Sequence, residues 1–147
     1  MNKLFKIFIM VFVVSILCAC GVKKVETVED IEDRLKKNSF SVTDVTDQMN
    51  DKRINYVAAA NNGKYQIEYY VFNEEKEANK AYKSNKASFN VSNTKGKEKS
   101  TSTYKVYTQE LSDTYNVVII DKKILMYSSV NIEYKKDLKK VLRKLGY

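Results

Sequence analysis

Apolar and polar positions follow two different patterns on either side of residue 21. Residues 7–17 are an uncharged run, apolar except for Ser15, behind the basic residues Lys3 and Lys6, whereas from residue 22 onwards apolar positions recur periodically among charged ones. Recurrence every three to four residues indicates an amphipathic helix, and strict alternation indicates a half-buried strand. The chain beyond residue 21 therefore has the pattern of a folded domain.

The helical pattern occurs three times. Thr27 begins the first helix as a capping residue, and Asn38-Ser39 ends it. The second helix follows Asn73, and the third begins near Asn131, with Gly146 suited to the left-handed position beyond its end. The apolar stripes predicted to face the core are Val28, Ile31 and Leu35; Ala78, Ala81, Tyr82 and Phe89; and Tyr134, Leu138, Val141, Leu142 and Leu145.

Six strands are predicted between the helices. The first is a short edge strand, and Asn61-Asn62-Gly63 joins the second and third as a hairpin. Residues 117–120 are apolar on both faces, which favours a central strand, and the polar residues 90–102 are predicted to be a mobile loop. The predicted strands are residues 40–45, 54–60, 64–72, 103–111, 115–120 and 124–130.

These elements predict an α+β fold. Their order is α-βββ-α-βββ-α, and the short connections favour an antiparallel sheet with the helices packed on one face. The repeated order leaves open an old duplication of a βββα unit, although the two halves share little identity.

Three interpretations of the leader MNKLFKIFIMVFVVSILCACG are disfavoured. A transmembrane anchor needs roughly 20 apolar residues, and the apolar stretch here covers only residues 7–20. An ordinary secretory signal cut after Ala19 would place Leu17 at the third position before the cut, where it is too large. A metal or disulfide pair of Cys18 and Cys20 is a poor fit, because one residue separates them and the chain has no histidine.

The segment Leu17-Cys18-Ala19-Cys20 resembles the lipobox of bacterial lipoproteins, in which a leucine stands three residues before an invariant cysteine and a small residue directly precedes it. The resemblance implies cleavage between Ala19 and Cys20 and a diacylglyceryl group on the Cys20 sulfur. The chain would then consist of a signal peptide (1–19), a lipidated cysteine with a short tether (20–26) and one α+β domain (27–147). Its expected location is the extracytoplasmic face of the cell membrane, anchored by lipid. In length and in its basic last helix the chain is also similar to small lipoproteins of Gram-positive bacteria, a likeness that implies no activity.

Composition narrows the chemistry of the domain. Loss of residues 1–19 removes Lys3 and Lys6 and leaves 24 basic and 18 acidic residues, a net charge of +6. The chain has no histidine, and with Cys20 lipidated no free thiol would remain, so the commonest general base, metal ligand and nucleophile are missing. Gly63 and Gly96 stand alone, so there is no phosphate-binding glycine loop. We therefore expect no metal, no cofactor and no catalytic residues.

Two sets of residues are candidates for binding. The last helix carries six basic side chains opposite its apolar stripe, which suit anionic lipid headgroups or wall polymers. The same spacing is that of the solvated face of an amphipathic helix, and this interpretation is favoured. Tyr70 and Tyr107 are expected to face outwards because their neighbours on the same strand face are polar, whereas most of the eleven tyrosines are expected to pack in the sheet. The basic residues are Lys135, Lys136, Lys139, Lys140, Arg143 and Lys144.

The sequence therefore favours a non-catalytic binding module of the cell envelope. Its partner is expected to be an envelope protein or an anionic wall polymer rather than nucleic acid, and the protein is expected to be a monomer. Two alternatives stay open: an envelope enzyme that uses serine or carboxylate chemistry on wall polymers, and an inhibitor or immunity-type lipoprotein. A deep pocket with a desolvated carboxylate pair would favour the enzyme, and a large exposed apolar patch would favour the inhibitor.

Overall fold

The computed structural model of the chain describes residue 24, residues 26–89 and residues 94–147. The predicted signal peptide, the cleavage between Ala19 and Cys20 and the lipidation of Cys20 lie outside these residues. The described residues form an α+β fold, as predicted. Its helices are α1 (Val28–Lys37), α2 (Glu75–Phe89) and α3 (Lys135–Leu145), and its strands are β1 (Ser41–Asp44), β2 (Ile54–Asn61), β3 (Gln66–Phe72), β4 (Lys97–Ser100), β5 (Tyr104–Glu110), β6 (Thr114–Asp121) and β7 (Ile124–Asn131).

The strands form one antiparallel sheet in the order β1-β2-β3-β7-β6-β5-β4. Two runs of hairpins meet where β3 pairs with β7, with Tyr69 opposite Met126. The predicted hairpin between β2 and β3 is confirmed: Gly63 has a φ of 80°, and its N–H donates to Asn61 Oδ1 at 2.6 Å. Local turn chemistry therefore produces the antiparallel pairing expected from the sequence.

The helices lie on both faces of the sheet, which corrects the prediction that they share one face. On one face, α1 and α3 bury Ile31, Leu35 and Leu138 against the sheet. On the other face, α2 buries Ala78 and Tyr82, together with further side chains of the same cluster. Because both faces are covered, successive residues of β6 enter opposite cores, and this explains why residues 117–120 are all apolar.

A duplicated βββα unit would place the helices that follow β3 and β7 on the same face of the sheet, related by a twofold rotation, and the two helices are not related in this way. An antiparallel pair has a local twofold axis perpendicular to the sheet, and this rotation keeps each element on its own face. Helix α2 follows β3 on one face, whereas α3 follows β7 on the other. The placement of the helices therefore gives no support to a repeated βββα unit.

Strand β4 lies within residues 90–102, which were predicted to be a loop. All four of its residues are exposed, and it pairs only with β5 at the edge of the sheet. A strand without a buried face shows no apolar alternation, so the sequence pattern cannot reveal it. The observed order of elements is therefore α-βββ-α-ββββ-α, with charged residues on an edge strand, where they discourage pairing with other chains.

The first helix begins and the third helix ends at the predicted capping residues, but the third helix begins later than predicted. Thr27 Oγ1 accepts a hydrogen bond from the Asp30 N–H at 3.1 Å, and Gly146 adopts a left-handed φ of 95° beyond α3. Asn131 caps a short 3₁₀ turn, Ile132–Tyr134, and α3 proper begins only at Lys135. None of the described helices has the length and apolar character needed to cross a membrane.

Candidate functional site

A cleft of about 300 Å³ lies beside α2. It opens between this helix, the loop that precedes β2, and strands β3 and β7. Its volume is at the lower limit for small-molecule sites, so it fits a small group or one unit of a polymer. The polar side chains that line it are Asp51, Arg53, Glu68, Tyr70, Asn85 and Tyr127.

Glu68 and Tyr70 form the polar floor of the cleft. The Tyr70 hydroxyl donates to Glu68 Oε2 at 2.5 Å, and Gln66 Nε2 donates to Glu68 Oε1 at 2.9 Å. Burial, followed by the hydrogen bond to Glu68, raises the pKa of Tyr70, so its hydroxyl keeps donating to Glu68 at a higher pH than an ordinary tyrosine would. Tyr70 was expected to face outwards; it is half-buried and lines the cleft.

Tyr127 lies diagonally across from Tyr70 on the same face of the sheet, because Glu68 pairs with Tyr127 and Tyr70 pairs with Leu125. Its ring stacks on Phe89 of α2 with the centroids 5.7 Å apart. Within the described ranges, the Tyr127 hydroxyl has no hydrogen-bond partner. This half-buried hydroxyl is therefore available to a ligand.

Arg53 stands at the rim of the cleft. Its guanidinium forms an ion pair with Asp51, with Nη2 2.6 Å from Oδ2, and a longer contact of 3.5 Å with Glu77. The hydrogen bonds from Arg53 lower the pKa of Asp51 to about 2. The Arg53 side chain is nevertheless 59% exposed, so the pairs orient its guanidinium without hiding it from a ligand.

Several carboxyl groups of the described residues accept hydrogen bonds from side chains or backbone N–H groups. Wherever their pKa departs clearly from the ordinary value, it is lowered by donors or cations. A general acid at neutral pH needs the opposite shift, usually caused by burial without a donor. The groups with a lowered pKa are Glu32, Asp44, Asp51, Glu77, Glu98 and Glu110.

The basic side chains of α3 divide into two groups. Lys135 forms an ion pair with Glu110, Lys144 donates to Asn38 Oδ1 at 2.5 Å, and Lys139 lies 5.8 Å from the centroid of the Tyr115 ring. The other three are exposed and have no partner in the part of the chain that the structure describes. These are Lys136, Lys140 and Arg143.

Tyr107 is buried, with 3% of its surface exposed, which corrects the prediction that it faces outwards. Its ring stacks on Phe89 at a centroid distance of 6.2 Å, and its hydroxyl accepts a hydrogen bond from the Gly96 N–H at 3.0 Å. The prediction relied on polar neighbours on the same strand face. One of them, Gln109, is itself buried, and its amide donates a hydrogen bond to the Phe89 carbonyl at 2.5 Å. No local signal reveals that α2 covers this face.

A second cluster, which the sequence did not suggest, surrounds Asp121 at the end of β6. The Asp121 carboxylate lies 2.8 Å from Lys24 Nζ and accepts a hydrogen bond from the Tyr147 hydroxyl at 3.2 Å. Burial, followed by the Asp121 charge, raises the pKa of Tyr147. A groove of about 860 Å³ opens next to this cluster. The three residues come from the beginning, the late middle and the end of the chain, and the only sequence signal is an aspartate that closes an apolar strand.

Comparisons with known proteins add little to this picture. No protein-family model matches the chain, and no curated protein sequence matches it. The crystal structure of a GTP binding regulator from Thermotoga maritima is similar, with 15% identity, a TM-score of 0.47, and coverage of 79% of this chain and 84% of that one. This likeness supports no inference about ligands. The described residues also contain no cluster of histidine, cysteine, aspartate or glutamate side chains that could hold a metal ion.

Proposed function

We propose that the chain is a lipoprotein on the extracytoplasmic face of the bacterial cell membrane and that its domain is a non-catalytic binding module. The observation that carries the proposal is Leu17-Cys18-Ala19-Cys20 at the end of the apolar leader, which resembles a lipobox. Two acyl chains on Cys20, at about 0.8 kcal/mol per buried CH₂, would hold the protein stably on the bilayer without a spanning helix.

The cleft beside α2 is the surface that we assign to binding. It combines the Tyr127 hydroxyl, which has no hydrogen-bond partner among the described residues, with the Tyr70–Glu68 pair and the exposed guanidinium of Arg53. Tyrosine rings with polar groups beside them suit a ligand that has both an apolar face and hydroxyl groups. A saccharide unit of a wall polymer has this chemistry, and we propose it as the ligand class.

Two observations support binding over the alternatives raised by the sequence. An enzyme with carboxylate chemistry would need a carboxyl group with a raised pKa, whereas the clear pKa shifts of the carboxyl groups among the described residues are all downward. An inhibitor that occludes another protein would be favoured by an exposed apolar patch. Met49, 40% exposed, is the one large apolar side chain exposed among the described residues.

Labelling with a radioactive fatty acid tests the anchor in cells that produce the full-length chain. Cys20→Ser should abolish incorporation of the label and leave a precursor of full length. Cys18→Ser is the matched control, because it removes the other cysteine of the leader and should leave incorporation unchanged. Labelling that survives Cys20→Ser would refute the proposed anchor.

Nuclear magnetic resonance tests the cleft. The ¹⁵N-labelled chain from residue 21 onwards is titrated with soluble fragments of wall polymers, and the shifted amide signals are mapped. We expect the shifts to surround Tyr70 and Tyr127, and Tyr127→Ala to weaken them. Tyr104→Ala is the matched control at a tyrosine that does not line this cleft. Shifts confined to α3, or no shifts, would refute the assignment of the cleft.

A further inference from the structure

The Lys24 side chain is docked at the end of β6. Its ammonium group lies 2.8 Å from Asp121 Oδ2, and the Asp121 side chain is only 6% exposed. Gly146 approaches so closely that a Cβ there would lie 2.5 Å from Lys24 Cα. A buried carboxylate strongly resists the loss of its counter-ion, because an uncompensated charge would remain. Lys24 therefore belongs to the folded domain and not to a freely moving tether.

Asp121 lies at one end of the sheet, which we call the anchor end. This end carries the β6–β7 turn at residues 122–123 and the β4–β5 turn at residues 101–103, because Tyr104 pairs with Asp121. The opposite end carries the β5–β6 turn at residues 111–113 and the start of α3, whose Lys135 pairs with Glu110. The seven residues of β5 separate the two ends by about 24 Å.

We propose that the Lys24–Asp121 ion pair fixes the exit of the lipid anchor, so that the anchor end of the domain lies on the phospholipid headgroups. This inference rests on the lipidation of Cys20 proposed above. Cys20 precedes Lys24 by four residues, which reach at most about 14 Å when fully extended. An inverted domain, with its opposite end on the bilayer, would lift Lys24 about 24 Å above the surface, which is beyond the reach of this tether.

The tether alone is enough to set this orientation. The charges that line the groove at the anchor end largely cancel, because Lys122 and Lys123 are accompanied by Glu26 and Glu75. The exposed Arg143 and Lys144 lie at the same end, since Gly146 contacts Lys24, and they would add attraction to anionic headgroups. The eleven residues of α3 extend about 16 Å away from this end, which exceeds the screening length of about 8–10 Å. The basic residues at the start of α3 are therefore held away from the headgroups.

Matched cysteine variants test the orientation in the full-length lipidated protein. Ser102→Cys places a thiol at the anchor end and Ser112→Cys places one at the opposite end, and both serines are exposed. With Cys20 lipidated and Cys18 removed with the leader, a thiol-reactive fluorophore labels only the new cysteine. The protein is reconstituted in vesicles of phosphatidylcholine and phosphatidylglycerol that contain a lipid with a nitroxide quencher on its headgroup.

We expect the label at residue 102 to be quenched severalfold more strongly than the label at residue 112, and the difference to persist at high salt. Equal quenching, or stronger quenching at residue 112, would overturn the orientation. Lys24→Gln should reduce the difference because the tether lengthens, whereas Lys24→Arg should preserve it because the ion pair remains. A difference that is unchanged by Lys24→Gln would overturn the role of the ion pair.

Fatty-acid labelling of the same variants separates the two proposals. Labelled protein with equal quenching at both positions would contradict the orientation alone. Protein without fatty-acid label would contradict the lipid anchor, and the orientation would fall with it. Circular dichroism of each variant shows whether a change in quenching comes from loss of the fold.

Discussion

Glu32 joins α1 to the sheet, and its removal should measurably weaken the fold. Its Oε1 accepts hydrogen bonds from the hydroxyls of Tyr56 at 2.6 Å and Tyr69 at 3.2 Å, and its Oε2 lies 2.9 Å from Lys36 Nζ. The Tyr69 side chain is fully buried. In Glu32→Ala, the Tyr69 hydroxyl would therefore remain in the core without its charged acceptor.

The size of the effect follows from these contacts. A hydrogen bond to a charged group contributes about 1.5–3 kcal/mol, and a neutral contact between the Tyr56 and Tyr69 hydroxyls would recover part of it. We expect Glu32→Ala to lower the free energy of unfolding by about 2 kcal/mol and Tm by about 8 °C. Asp33→Ala, an exposed position on the same helix, is the matched control and should change the free energy by less than about 0.5 kcal/mol.

The loss should depend on pH in a defined direction. The hydrogen bond from Tyr56, then that from Lys36, lowers the pKa of Glu32 from its ordinary value of 4.5. A group with a lowered pKa in the folded state contributes its stability above the unfolded-state pKa and loses it as the pH falls through the folded-state pKa. The difference between the wild type and Glu32→Ala should therefore be largest at neutral pH and shrink below about pH 4.

Urea denaturation followed by circular dichroism, on the chain from residue 21 onwards, measures both effects. A loss below about 0.5 kcal/mol at neutral pH would show that Glu32 does not secure α1. If the loss of unfolding free energy has the expected size but stays constant down to about pH 3, the stabilisation does not depend on the negative charge of Glu32.

Three other sets of substitutions test separate parts of the structure by the same denaturation assay. Leu138→Ala leaves a cavity at a fully buried site in α3 and should lower the free energy of unfolding by about 2–5 kcal/mol. A decrease below about 1 kcal/mol would mean that α3 is not part of the core. Gly146→Ala should lower the free energy of unfolding by about 1–3 kcal/mol, and by more than Gly63→Ala. Both glycines have a positive φ, but only an alanine at residue 146 would also clash with Lys24. Equal losses would contradict the docking of Lys24. The double variant Lys136→Glu/Lys140→Glu should change the free energy of unfolding by less than about 0.5 kcal/mol, since neither residue has a partner among the described ones. Lys135→Glu should lower it by more, because the new carboxylate would face Glu110. Equal effects would contradict the division of the basic side chains of α3 into two groups.

Elements with local signals were predictable from the sequence. Thr27 marks a helix start, Gly63 marks a hairpin and Gly146 marks a helix end, because each acts on backbone groups within a few residues. Strand β4 was missed because a fully exposed edge strand has no buried face to create an alternating pattern. The candidate cleft was predictable only through Tyr70, since its other walls come from α2, from strand β7 and from the loop before β2.

By itself, the sequence determined the helices, most of the strands and the antiparallel class of the sheet, because periodicity and turn residues act locally. Only the tertiary structure decided that α2 covers the face opposite α1 and α3, which buries Tyr107 and leaves Tyr70 beside a cleft. Only the tertiary structure brought Lys24 and Tyr147 to Asp121. The physical reason is that strand order and helix placement depend on contacts between residues far apart in the chain, and a periodic pattern records only that a face is buried, not what buries it.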